Sequence, residues 1–264
     1  MGGIKTLTAA LGCALAVTAT PAAAALLPQS WNGYHWARTG PLQIAIGSNI
    51  SSTWVPYLAT AANAWSAADN IDFLVTTGAS NPSTCNPKFG GVQICSANYG
   101  ANGWLGYTNI WLSGGFVVQA TVKLNDFYFA TTRYNTAAWR DYTVCQELGH
   151  TLGLDHTNAV RTNANTGSCM DYTNDAAGTA GGANGTLANT RPNAVDFAAL
   201  NAIYANLDRT QLPSTRIRLG IGMTVDGGDM QTFAMVPEPG SWAMLIAGFG
   251  LVGAIQRRQR AVLA

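Results

Sequence analysis

Charge is scarce in this chain of 264 residues: lysine and arginine number 14, aspartate and glutamate 13, and together they make up a tenth of the sequence. With a net charge of +1, the chain has no basic surface broad enough to grip nucleic acid, so that class of partner is excluded. Disorder is excluded too, because 48% of the residues are hydrophobic, enough to form a substantial core. Histidine is rarer still, with three residues in all. The N-terminal apolar run, 7–17, is too short to cross a bilayer.

That run follows Lys5 and precedes Pro21 and an alanine series ending at Ala25, the pattern of a secretory signal peptide over 1–25 with cleavage near Ala24 or Ala25. A short membrane anchor is the alternative. Cys13 leaves with the signal peptide, and Cys85, Cys95, Cys145 and Cys169 remain for an oxidising compartment, where three pairings are open in principle. The length suggests one folded domain, expected over 26–207, then a spacer over 208–236 with at most a weak hairpin.

The tail, 237–264, opens on Pro237-Glu238-Pro239. An apolar segment from Trp242 to Gly253 follows, then Arg257, Arg258 and Arg260. It resembles the PEP-CTERM sorting signal of Gram-negative bacteria. A short apolar segment bounded by arginines stops in the inner membrane with its basic end in the cytoplasm. The resemblance implies an exosortase-type processing enzyme as partner and release to the cell surface or beyond; an ordinary tail anchor is the alternative.

Between these ends, 42–46 alternates like a half-buried strand and stops at Gly47. A helix should follow, capped by Ser51 or Ser52, with Pro56 near its first turn and Trp54, Leu58, Ala61, Ala62 and Trp65 as its core stripe. A second strand over 71–76 completes a parallel crossover. The Gly-, Asn- and Pro-rich span 78–102 reads as a surface excursion holding a short strand at 92–95. Two strands, 104–112 and 116–124, flank Ser113-Gly114-Gly115, a plausible hairpin connection. Asn135 or Thr136 caps a helix running to Leu152. A polar connection, 158–167, and a flexible loop, 174–189, lead to a last helix near Pro192 or Asn193 that buries Val195, Phe197, Leu200, Ile203 and Tyr204.

The chemistry is concentrated in 144–156, read V-C-Q-E-L-G-H-T-L-G-L-D-H. Positions 146 and 150 share one helix face, Glu147 stands beside them, and Gly153 lets the chain leave the helix sharply so that His156 returns to the same point. Downstream comes Ser168-Cys169-Met170-Asp171-Tyr172. The two together resemble the metzincin metalloproteases, with their H-E-x-x-H-x-x-G-x-x-H zinc motif and methionine-containing turn.

The resemblance implies an α+β, metzincin-like fold: a twisted mixed β-sheet with an active-site helix and a smaller C-terminal helical subdomain. It also implies Zn2+ held by His150, His156 and a third donor, Glu147 as general base, and Met170 supporting the site. Tyr172 would be either a ligand or an oxyanion stabiliser. An edge strand would receive an extended peptide, for which 119–125 is the candidate. The departure is Gln146, which stands where the family has its first zinc histidine. Three arrangements are open: Gln146 ligates through its amide oxygen; it holds a water while Tyr172 or Asp155 completes the sphere; or the site is metal-free.

Cys145 with Cys169 would fasten the helix to the Met-turn, and Cys85 with Cys95 would close a local loop. His35, the remaining histidine, reads as structural, with a ligand role open if the fold brings it near. No cysteine between Ala25 and the first strand is available to block a zinc site. The function expected is an exported zinc metalloendopeptidase acting on a peptide or protein substrate. The alternative is a catalytically degenerate metzincin-fold protein that binds, or builds surface matrix.

Overall fold

Seven strands form one mixed sheet in a computed structural model that describes residues 29–208 and 216–224. The expected signal peptide with Cys13, and the sorting tail, lie outside the described residues. In chain order the elements are β1 (His35–Trp36), β2 (Leu42–Asn49), α1 (Val55–Trp65), β3 (Ile71–Thr77), β4 (Gly91–Ala97), β5 (Trp104–Ser113), β6 (Phe116–Asn125), α2 (Asp126–Phe129), α3 (Ala137–Thr151), α4 (Ala194–Ile203) and β7 (Arg216–Thr224). Across the sheet the order is β3-β2-β4-β6-β5-β7, with β1 beside β6. The architecture is the expected α+β one. No helix among the described residues is long and apolar enough to cross a membrane.

The β2-α1-β3 crossover is parallel as its periodicity predicts, and β4 and β6 extend the parallel run. Gly114 and Gly115, at φ 60° and 88°, form the tight turn that makes β5 antiparallel to β6, since two consecutive positive φ values suit a two-residue hairpin loop. Helices α1 and α3 pack together against the sheet. Leu58, Ala61, Ala62 and Trp65 are buried from α1, and the Trp65 indole donates to the Cys145 carbonyl at 2.9 Å. Each large side chain buried this way contributes about 1.5–3 kcal/mol.

Several elements differ from expectation. The candidate edge strand 119–125 lies in β6, paired on both sides by β4 and β5; its nearly unbroken burial is the pattern of an interior strand. The strand with the free-standing side is β5, and that side is taken by β7, which falls inside the interval expected to be a spacer. Trp54, not Ser51 or Ser52, is the N-cap of α1, without a side-chain hydrogen bond. The short strand at 92–95 is the seven-residue β4. Val195 of α4 is 56% exposed because Asp196 turns inward instead, accepting from Gln29, Ser168 and the Asn193 backbone.

Where α3 ends, its last carbonyls need partners from outside the helix. The Trp36 indole donates to Thr151 O at 2.7 Å and the Tyr204 hydroxyl to Leu152 O at 3.0 Å. Gly153 then turns the chain at φ +91°, and a Cβ there would stand 1.8 Å from the Tyr34 carbonyl oxygen. Gly153→Ala therefore combines left-handed strain with a backbone clash and should cost about 2–4 kcal/mol. Gly40, with nothing within 4 Å of the place an added methyl would take, should tolerate alanine within about 1 kcal/mol. Urea unfolding of the two variants checks the contrast; equal midpoints would contradict it.

Candidate metal centre

Thr136 caps α3 by accepting from Trp139 N, and every residue from Tyr142 to Thr151 is buried. The sequence thus sets Gln146, Glu147 and His150 on a helix that cannot shift without unpacking the core. His150 Nδ1 lies 2.9 Å from the Leu154 carbonyl oxygen. A carbonyl only accepts, so Nδ1 carries the proton and Nε2 presents a bare lone pair. The turn at Gly153 brings His156 back, and its Nε2 stands 3.1 Å from His150 Nε2.

His156 is oriented from its other side. Asp155 Oδ1 accepts from the His156 backbone N–H at 2.7 Å and lies 3.6 Å from its Nδ1. Asp155 therefore lies on the side of the ring nitrogen that points away from His150, 3.6 Å from it and short of a hydrogen bond, and not beside the facing pair of nitrogens. The Tyr172 ring stacks on His156, centroids 4.0 Å apart. Burial holds His150 down to about 4, and burial with the neighbouring His150 holds His156 well below its ordinary value. Both rings are neutral at neutral pH, as metal-ligating imidazoles must be.

Gln146 is fastened at one end only. Its amide nitrogen donates to the Cys169 carbonyl at 2.9 Å and to the Tyr142 hydroxyl at 3.1 Å. Reversing the amide would set oxygen against the Cys169 carbonyl oxygen, so the orientation is determined. Its oxygen, Oε1, is then a buried acceptor without a hydrogen-bond partner, which costs about 1–3 kcal/mol if left so.

Glu147 Oε2 accepts from the Thr108 hydroxyl at 2.5 Å. Gly106, two residues earlier on β5, leaves the room its side chain needs: a Cβ there would stand 2.6 Å from Glu147 Cγ and Oε1. Beneath the helix, Met170 packs against Gly149, where a Cβ would meet its sulfur at 2.4 Å.

The turn around Met170 is held at every residue. Cys169 is disulfide-bonded to Cys145, the Met170 carbonyl accepts from Thr157 N, and the Asp171 carbonyl accepts from the Tyr142 hydroxyl. The Cys85–Cys95 bridge also forms, from β4 to the loop before it. His35 takes no part: its neighbours are Gly33, Asp208, Phe116 and Tyr204.

Among the described residues no group of three or more His, Cys, Asp and Glu could hold a metal ion. The donors that fit zinc here are two imidazole nitrogens and one amide oxygen. Two nitrogens at about 2.0–2.1 Å from a tetrahedral zinc stand about 3.3 Å apart, close to the spacing of this pair. Thr108, Gly106, Gly149 and Tyr142 were not singled out from the sequence as site residues. The signal for two of them was available, since a glycine inside a strand or helix marks a close approach.

At the C-terminus, residues 236–260 match the PEP-CTERM protein-sorting motif. That motif marks the chain for export to the cell surface, with a C-terminal membrane anchor that an exosortase processes. No curated protein matches the chain. Among solved structures it is similar to myroilysin, at 14% identity over 67% of this chain and 98% of that one, with a TM-score of 0.40. It is also similar to high choriolytic enzyme 1, a hatching enzyme zinc-protease from the medaka fish Oryzias latipes, at 14% identity over 65% and 94%, TM-score 0.35. A third is archaemetzincin from Archaeoglobus fulgidus, complexed with malonate, at 21% identity over 50% and 86%, TM-score 0.28. The likeness is loose, and the site is defined by its own geometry.

The neutral histidine pair makes the metal-free chain sensitive to acid. Unfolding lets His150 return from about 4 to its ordinary 6.5, so the unfolded chain binds more protons within that window. Stability is full above it and falls as pH drops from about 6.5 toward 4, by at most about 1.4 kcal/mol per pH unit for each histidine. Urea midpoints with chelator present should decline across this range, and less steeply in His150→Gln. Midpoints independent of pH would contradict the assignment.

Proposed function

We propose that this chain is an exported zinc-dependent metalloendopeptidase, with His150, His156 and the Gln146 amide oxygen as metal donors and Glu147 as general base. The observation that supports it most is the facing imidazole pair, 3.1 Å apart, on a helix that also offers a buried amide oxygen without a partner. Zinc bound there supplies a Lewis acid that polarises a scissile carbonyl and lowers the pKa of water.

The chain's own residues handle the protons. Thr108 orients one oxygen of Glu147, so the carboxylate is aimed to accept a proton from water and pass it to the leaving amine. Tyr172 keeps its phenolic proton, because burial and then the nearby Glu147 charge raise it above its ordinary value. A protonated phenol suits a hydrogen-bond donor to a developing oxyanion better than a metal ligand. Asp155 fastens the His156 backbone N–H and sets a carboxylate 3.6 Å from the far ring nitrogen. The substrate is a peptide or protein outside the inner membrane, where the sorting tail delivers the chain.

One observation favours a second reading, a degenerate metzincin-fold protein that binds peptides or matrix without cutting. The Gln146 amide nitrogen is committed to the Met-turn through Cys169 O, a structural use that needs no metal. Zinc content after exposure and extensive dialysis separates the two. Under the peptidase reading the natural chain retains roughly one zinc per molecule, His150→Ala loses it, and Glu147→Gln retains it while peptide cleavage falls about 10²- to 10⁴-fold. Retention of zinc by Gln146→His alone would establish the binding protein instead.

A further inference from the structure

The sheet continues past the site by one strand. β7 runs antiparallel along β5 from Ser113↔Arg216 to Trp104↔Thr224, on the side of β5 away from β6. Thr108 of β5 points toward α3, since its hydroxyl reaches Glu147. Its Cα partner across the strand pair is Ile221, and directly paired residues of an antiparallel ladder point to the same face. Ile221 is accordingly fully buried, on the face that carries Glu147, and β7 also approaches α3.

An extended peptide that is to lie beside Glu147 must add to β5, because β5 is the strand in contact with that residue through Thr108 and Gly106. Strand addition uses the edge's own backbone groups. β6 holds one edge of β5 and β7 holds the other. Glu147, His150 and Gln146 are fully buried in this arrangement, and His156 and Tyr172 are each 7% exposed.

The strand is nonetheless built to be replaceable. Ile221 lies between Gly220 and Gly222, and glycine within a strand weakens it. Gly220 is dictated by its neighbour, as a Cβ there would stand 2.1 Å from the Tyr107 hydroxyl.

We propose that residues 216–224 are an internal inhibitory strand that occupies the peptide-binding edge of β5, with Ile221 in the inward position beside Thr108. This rests on the peptidase reading for what the cleft does once open. It also names the peptide the edge accepts: an extended segment with one branched aliphatic residue flanked by small ones. β7 ends at Thr224 and the sorting motif begins at 236, so processing of the tail takes place on the segment that leads directly out of the inhibitory strand.

The test compares the intact exported chain with Ile221→Asp, which sets a charge in the buried position, using a fluorescent synthetic peptide of sequence 216–224. A tethered strand competes at an effective concentration in the millimolar range, so unseating it should strengthen peptide binding about a hundredfold. Equal binding to both chains, with Ile221→Asp folded and retaining its disulfides, overturns the proposal.

Should Ile221→Asp fail to fold, a specific protease site placed within 209–215 and cut after folding leaves β7 held without a covalent link, by pairing with β5 and the burial of Ile221. Exchange of the cut strand for the fluorescent peptide supports the proposal, and retention that excludes the peptide overturns it. The two readings separate cleanly. Cleavage of peptides by the intact chain as fast as by Ile221→Asp removes the inhibition and leaves the peptidase. Peptide capture without zinc or cleavage leaves the inhibitory strand and removes the peptidase.

Discussion

The Cys169 carbonyl oxygen accepts from the Gln146 amide at 2.9 Å, and because a carbonyl can only accept, that one contact decides the chemistry of the helix face above it. It fixes which end of the amide is nitrogen, and so leaves an oxygen as the free donor atom. It also ties α3 to the Met-turn at the residue whose sulfur is bonded to Cys145. A covalent link and a hydrogen bond from adjacent helix positions converge on one residue. The packed Met170 and the Tyr172 ring stacked on His156 both belong to a turn that is held in this way.

The site was legible in the sequence where spacing alone determines geometry. Positions four apart on a helix share a face, Gly153 was needed for a sharp exit, and His156 returns to His150 as that exit requires. The hairpin at Gly114-Gly115 and the crossover around α1 were legible for the same reason. What was not legible depends on partners distant in the chain. Nothing local says that Asp155 turns to the far nitrogen of His156, or that Thr108 reaches Glu147 across 39 positions. Helical spacing assigns Val195 to the buried face, yet the inward place goes to Asp196, whose partners Gln29 and Ser168 lie 167 and 28 positions away in the chain.

The sheet edge shows the same limit. Residues 119–125 are expected at the rim from the family resemblance and not from their own pattern, and β4, which pairs with them, lies inside a span that composition marks as loop. Its glycine and asparagine content belongs to the turns around it. β7 does alternate, with Ile217, Leu219, Ile221 and Met223 two positions apart in R-I-R-L-G-I-G-M-T, yet this signal covers nine residues of an interval that reads as a spacer because no periodicity spans the whole of it. Its place is set by the open edge of β5, a property of the partner and not of the segment.

Under the zinc reading proposed above, these features bear on why a glutamine is tolerated at a position where imidazole would bind zinc more strongly. In a site that relies on metal to hold its parts together, a weaker donor would loosen the fold as well as the ion. Here the Met-turn is secured without metal by the disulfide, by Thr157 and Tyr142 donating to its carbonyls, and by Gln146 itself. Folding and metal binding are thereby separated. Under that reading the weaker donor costs metal affinity without loosening the turn, and Gln146 serves both ends at once, its amide nitrogen donating to the Cys169 carbonyl while its oxygen is left to coordinate.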